Sequence, residues 1–287
     1  MPKGSWPVGW PADQLNALIQ LALAEDGTSA DVTSEAVVEP DLRAKAVLLA
    51  KEPGVIAGLP VADRVFVSVD PDLHWDALVT DGVHVTTVPS RLGTVEGSAR
   101  SILRAERVAL NFLQHLSGIA TLTWQAVSKA PGVEVLDTRK TTPGLRWLER
   151  YAVRTGGGRN HRFGLGDGVL IKDNHVRAAG GIRSAVLRAR ECAPFGLRIE
   201  VECTTLAEVS DALEAGAEII LLDNMPTALL AQAVQLIGPR ARTEASGGIN
   251  LDTIAEVART GVTSLSMGSL THSARALDVS LEIEEMG

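Results

Sequence analysis

Apolar and polar positions follow two different rhythms along this chain. Over roughly the first 105 residues, helical spacing at Leu15, Leu18, Ile19 and Ala22 gives way to a turn-rich run from Glu25 to Asp31. Short strand-like runs follow at Ala44–Ala50, Val55–Ala57 and Val83–Val88, with Gly, Pro and Asp between them. These predict an α+β unit built on an antiparallel sheet. A long helix is expected from about Ala99 to Leu116, broken by Ser117-Gly118, with a second helix through Leu122–Ala130.

From Val133 the rhythm changes. Apolar runs at Val133–Leu136, Val169–Ile171, Ile199–Val201, Ile219–Leu222, Thr243–Ala245 and Ser264–Met267 read as strands. Helical patterns at Ile182–Cys192, Leu206–Ala215, Ala228–Ile237 and Leu251–Arg259 separate most of them. Thr204, Thr205 and Asn250 are N-cap candidates, and Gly216, Gly238 and Gly261 stand where helices should stop. Nearly every strand run ends directly on a polar or glycine residue, as in Leu136-Asp137, Ile171-Lys172, Val201-Glu202 and Leu222-Asp223. Strand ends that converge on one rim favour a β/α barrel over a doubly wound sheet, whose chemistry collects at one switch point. Six strands are clear, so an incomplete barrel of about seven strands fits better than a full eight. The tail alternates Val279, Leu281 and Ile283 with polar residues, which predicts one more strand, returning to the N-terminal sheet.

Composition narrows the class. The 287 residues are 45% hydrophobic and 22% charged, normal for a globular protein, and only 3% aromatic, so the core must be aliphatic. Met1–Trp10 holds one lysine and no apolar core, so no secretory leader is expected, and no run approaches the ~18 apolar residues of a membrane span. Cys192 and Cys203 are too few for a disulfide framework or a zinc site and read as free thiols of a reducing cytoplasm.

Charge points to a ligand. From Arg139 to Arg177 nine cations face three acids, a net +6; the whole chain is −8, so the remainder carries −14. A local positive segment in an acidic protein suits a small polyanion better than a nucleic acid. Asp137-Thr-Arg-Lys-Thr141 is either a solvated loop or an anion site. Arg146, Arg150 and Arg154 share one helix face and read as supporting or surface charges. Gly156-Gly-Gly-Arg-Asn-His-Arg-Phe-Gly164 permits close backbone approach beside directional donors, and arginine can grip a carboxylate through two hydrogen bonds. It lacks the Gly-Lys-Ser/Thr of a phosphate loop. Lys172, just beyond a strand, could meet an anion or serve as a Schiff-base amine. Ser246-Gly-Gly-Ile249 and Met267-Gly-Ser269 resemble the last strand-end loops of a barrel, where phosphate often sits.

Taken in order, these segments resemble quinolinate phosphoribosyltransferase (nicotinate-nucleotide pyrophosphorylase, carboxylating). The resemblance rests on Asp137–Thr141, Gly157–Leu165, Ile171–His175, Glu200–Glu202, Leu222–Met225, Ala245–Ile249 and Leu270–Ser273. Upstream it continues through Glu25-Asp26, Lys51–Gly58, Glu106-Arg107 and Leu110–Thr121. It covers almost the whole chain. His115, where many members carry Arg, and the Pro-Ser-Arg-Leu within Val88–Thr94 depart from the family pattern.

The resemblance implies an N-terminal α+β sandwich (1–115, with the tail 275–287 returning to it) and a seven-stranded β/α barrel (116–274) carrying the active site. It implies transfer of phosphoribosyl from phosphoribosyl pyrophosphate to quinolinate, with Mg²⁺, giving nicotinate mononucleotide, pyrophosphate and CO₂ in NAD biosynthesis. It implies a homo-oligomer, dimer or hexamer, with the active site shared between subunits. Arg139, His161, Arg162 and Lys172 would bind quinolinate, joined by Arg107 of a neighbouring subunit. Lys140 would hold pyrophosphate. Glu202 and Asp223 would hold ribose hydroxyls or the metal. Ser246, Gly247, Gly248, Gly268 and His272 would line the phosphate site. Three alternatives stay open: a related transferase acting on another aromatic acid, a Schiff-base barrel lyase using Lys172, and a non-enzymatic anion binder.

Overall fold

The computed structural model describes residues 9–287, so most of Met1–Trp10 lies outside the described residues. The chain divides into two units: residues 1–121, 147–156 and 274–287 form one, and residues 122–146 and 157–273 the other.

The first unit is an antiparallel sheet with helices. Helix α1 (Ala12–Glu25) buries Leu15, Ile19 and Leu23, the stripe that its spacing predicts, and a short α2 (Val32–Val37) follows. Strand β1 (Arg43–Ala50) precedes the two-residue β2 (Gly54–Val55) and α3 (Leu59–Val69). Then come β3 (His74–Ala77), β4 (His84–Val85) and β5 (Ser90–Ser98). The C-terminal strand β12 (Val279–Met286) pairs with β1, giving the order β12-β1-β5-β3. Strands β3 and β5 carry no strong sequence signal. In β5, Gly93 and Gly97 leave room for the Trp75 ring and the Leu73 side chain, so the residues that seat the neighbours are those that weaken the strand pattern.

One expectation is corrected here. Helix α4 runs unbroken from Ala99 to Lys129, straight through Ser117-Gly118. Ser117 Oγ takes the Ala57 amide at 3.0 Å, and a Cβ at Gly118 would run into the Arg275 carbonyl. Both residues are small because backbone packs against them. In α5 (Arg146–Thr155) the basic residues divide: Arg154 is exposed, as a surface charge should be, Arg146 is half-buried, and Arg150 is buried at 4% exposure. Tyr151 of α5 donates to Asp81 at 2.6 Å, and the buried Glu149 meets His115 Nε2 at 2.9 Å. The departure at His115 thus faces a fully buried carboxylate.

The second unit is parallel. Its strands are β6 (Glu134–Leu136), β7 (Val169–Ile171), β8 (Ile199–Cys203), β9 (Ile219–Asp223), β10 (Arg242–Ser246) and β11 (Ser264–Ser266). They lie in the order β6-β11-β10-β9-β8-β7. On the free edge of β6, Arg159 forms an isolated parallel bridge with Leu136. Helices α7 (Ile182–Cys192), α8 (Leu206–Glu214) and α9 (Thr227–Ile237) fall where their spacing predicts. Thr205 caps α8, its hydroxyl taking the Glu208 amide while Glu208 takes the Thr205 amide, a reciprocal box. Helix α6 (Asp173–Ala179) is too short to show a period, and α10 (Ile254–Ala258) starts later than Asn250, which closes a turn ahead of it. A four-residue helix, Ser269–His272, follows β11.

Candidate active site

Parallel strands bring their C-terminal ends to one side of the sheet, and the polar residues that end each run meet there. After β6, the fully buried Asp137 accepts from Asn160 Nδ2 and from the His161 amide at 2.9 Å. That pair ties residues 160–162, which have no regular structure, to the strand end. Arg162 reaches back to the Gly168 carbonyl at 3.0 Å. Burial, and then the Arg139 charge, lower its pKa from the ordinary value.

Lys172, ending β7, donates to Glu202 at 2.7 Å, and its own amide donates to His175 Nδ1 at 2.9 Å. Glu202 and Asp223 stand at the ends of neighbouring strands, β8 and β9. Each spends one oxygen on a neighbour, Lys172 Nζ for Glu202 and Asn224 Nδ2 (2.7 Å) for Asp223. Each has a second side-chain oxygen without a partner among the described residues. Asn224 sits at φ 52°, a conformation rarely adopted outside glycine, and its amide donates to the Ser246 carbonyl. Gly247 packs against it with no room for a Cβ, which joins the Asp223 corner to the Ser246–Gly248 turn. On the other side of β10, a Cβ at Gly268 would lie 3.0 Å from Lys140 Cδ and 3.2 Å from His272 Nε2. Thr271 Oγ1 donates to the Lys140 carbonyl at 2.7 Å. Lys140, Gly268 and His272 therefore form one corner of the rim.

The structure thus joins Lys172 to Glu202 beside Asp223, and separately brings together Lys140, Gly268 and His272, while Arg162 is tied to His161 and the Gly168 carbonyl. Arg107 is exposed on α4 in the first unit. Arg146 supports the rim from outside, donating to Thr141 Oγ1 at 3.0 Å and to the carbonyls of Arg139 and Phe163.

Inside the rim lies a cluster that strand-end reasoning does not find. His161 Nε2 is 3.1 Å from Glu200 Oε2 and 3.5 Å from Glu244 Oε2, and both acids are buried. Burial opposes protonation of His161, but the Glu200 hydrogen bond and the charges of Glu244 and Glu200 outweigh it and raise its pKa. Burial, with the Glu200 charge adding, pushes the Glu244 carboxyl up to about 7. One oxygen of each acid and Nε2 lie within 4.8 Å of one another, a spacing a metal could use. The hydrogen bonds argue otherwise: Nδ1 accepts the Arg162 amide at 2.7 Å, which puts the proton on Nε2, and a protonated nitrogen cannot ligate.

The sequence model of the quinolinate phosphoribosyl transferase N-terminal domain matches residues 31–117, and that of the C-terminal domain matches residues 119–282. The chain belongs to the quinolinate phosphoribosyltransferase family. It is 46% identical to the chloroplastic nicotinate-nucleotide pyrophosphorylase [carboxylating] of Oryza sativa subsp. japonica, over 97% of this chain and 80% of that protein. It is 44% identical to quinolinate phosphoribosyltransferase [decarboxylating] 1b of Nicotiana tabacum, over 97% and 85%. Among solved structures it resembles NadC from Streptococcus pyogenes, with TM-score 0.91, 43% identity and coverage of 97% of this chain and 100% of that one. The mixed α/β architecture, with an antiparallel sheet unit and a parallel barrel-type unit, is that of these structures. Among the described residues no helix is long and apolar enough to cross a membrane.

Proposed function

We propose that this chain transfers phosphoribosyl from phosphoribosyl pyrophosphate to quinolinate and releases CO₂, giving nicotinate mononucleotide and pyrophosphate in NAD biosynthesis. The observation that carries the reading is the pairing of Lys172 with Glu202 beside Asp223 on the adjacent strand end, in a unit whose strand-end loops also carry Arg139 and Arg162. A dicarboxylate would pair with Arg139 and Arg162. Lys140, Gly268 and His272 would take the phosphates, and the positive-φ turn Gly247-Gly248 offers backbone amides to the 5′-phosphate. The ring nitrogen attacks the ribose anomeric carbon as the bond to pyrophosphate breaks. Glu202 and Asp223 face the positive charge that develops on the sugar and accept from its hydroxyls. The C2 carboxylate then leaves as CO₂; its electron pair stays on C2, next to the cationic ring nitrogen, and C2 gains a proton.

The unshared oxygens of Glu202 and Asp223 fit a hard cation that takes one or two carboxylates plus substrate phosphates. Magnesium, when bound there, would neutralise charge on the pyrophosphate. Arg107, exposed on α4, would complete the acid site of a neighbouring subunit in a homo-oligomer. The two free thiols, Cys192 exposed and Cys203 buried, fit the reducing cytoplasm. A Schiff-base role for Lys172 fits less well, because the amine is about half exposed and paired with Glu202 rather than desolvated. Pyrophosphate release is to be measured with quinolinate and with nicotinate, each with and without Mg²⁺. Turnover with quinolinate and not nicotinate supports the reading; no turnover with quinolinate refutes it.

A further inference from the structure

We infer that Glu244 is a positioning residue of the acid-binding end, holding Arg162 in place through the His161 ring with Glu200 as its partner. The inference rests on the proposed function for what Arg162 binds, but its geometry is independent of that. Residues 160–162 carry a guanidinium that must be aimed, yet neither helix nor strand holds them. Three strands hold them instead through side chains. Asp137 at the end of β6 takes the His161 amide. Glu200 on β8 and Glu244 on β10 take the imidazole at Nε2. The ring's other nitrogen takes the Arg162 amide. Imidazole orientation and Arg162 backbone position are therefore one variable, and the two inner acids set it.

The cost of the arrangement argues that it serves the site. Glu244 is 3% exposed and Glu200 4%, and Oε1 of each is buried with no hydrogen-bond partner. An apolar pair of similar volume would spare that desolvation and is often the more stable choice. Beside His161 and each other, the charged or polar groups acting on these residues include Arg162, on the histidine, and Arg242 and Ser266, on Glu244. None of these replaces a carboxylate at Nε2.

The test is a set of variants: Glu244→Leu, Glu244→Gln, and Glu244→Leu combined with His161→Ala. Steady-state pyrophosphate release gives KM for each substrate separately. Glu244→Leu should raise KM for quinolinate about tenfold or more and leave KM for phosphoribosyl pyrophosphate within about twofold. Glu244→Gln, which keeps an acceptor of the same shape, should recover most of that loss. In the His161→Ala background, Glu244→Leu should add less than about twofold, because both act through one element. Equal rises in both KM values, or full additivity, overturn the inference. Imidazole ¹⁵N NMR reads the same claim without turnover: the His161 signal, assigned by its loss in His161→Ala, should show the Nε2–H tautomer and move in Glu244→Leu. An unmoved signal, or a stoichiometric metal bound by the purified protein and lost in Glu244→Leu, overturns it. An inactive parent with the expected NMR response would refute the functional reading alone.

Discussion

Replacing Glu244 by glutamine separates the charge of the inner cluster from its packing. Burial, and next the Glu200 charge, push this carboxyl up to about 7 from an ordinary value of 4.5; His161, Ser266 and Arg242 act in the opposite direction. A group with a raised folded-state pKa binds its proton more tightly in the folded chain than in the unfolded one. Its contribution to stability is full below about 4.5 and is lost as pH rises through about 7. At 1.36 kcal/mol per unit, the loss between pH 5 and pH 8 comes to about 2–3 kcal/mol. Glutamine has nearly the same shape and does not titrate, so the variant lacks this share. At about 2–4 °C per kcal/mol for a chain of this size, the parent's Tm should fall about 5–10 °C further than the variant's over that interval. Scanning calorimetry of both proteins at pH 5 and pH 8 measures this difference of differences, in which groups that do not interact with Glu244 cancel. Parallel profiles for parent and variant would refute a raised Glu244 carboxyl.

Three further outcomes are expected. Arg107→Ala and Arg139→Ala proteins, each impaired alone, should regain activity when mixed under conditions of subunit exchange, since the mixture restores some intact shared sites; exchange without recovery counts against sharing. Burial, with Glu208, Glu202 and Asp211 adding, pushes the Cys203 thiol to about 12, whereas Cys192 is exposed. A disulfide reagent at pH 8 should therefore titrate one thiol per native chain and two after denaturation. Gly118→Ala would drive a methyl into the Arg275 carbonyl and should cost about 1–3 kcal/mol by chemical denaturation; an unchanged midpoint would mean that this backbone packing yields freely.

What the chain discloses before folding, and what it conceals, follows from how far each signal reaches. The barrel-type unit is legible because each β/α turn is a local statement: an apolar run, a polar stop and a helical period. Charged residues that end a run are legible for the same reason, so Lys172, Glu202 and Asp223 can be named from one strand each. The antiparallel unit is less so, because Gly93 and Gly97 of β5 are chosen for Trp75 and Leu73, residues about 18 and 24 positions upstream. Gly118 misleads as a helix breaker for a similar reason: its partner is Arg275, far along the chain.

The inner acids are the extreme case. Glu200 precedes Glu202 by two residues on β8 and shares its face, but in sequence it is only an acid inside an apolar run. Glu244 is the same on β10, and β9 lies between the two strands. No spacing rule couples residues 44 apart on non-adjacent strands; only strand order and His161, arriving from an irregular segment, bring them together. The cationic window from Arg139 to Arg177 therefore gives half of the electrostatics. Its arginines are useful only where their backbone is held, and the groups that hold it, Asp137, Glu200 and Glu244, are buried acids. Two of those acids lie well downstream of the window, within the acidic remainder of the chain. The excess of positive charge that marks the site in sequence is thus balanced underneath by acids whose task is orientation. Removing one of them should first be felt as lost aim at Arg162 rather than as lost charge.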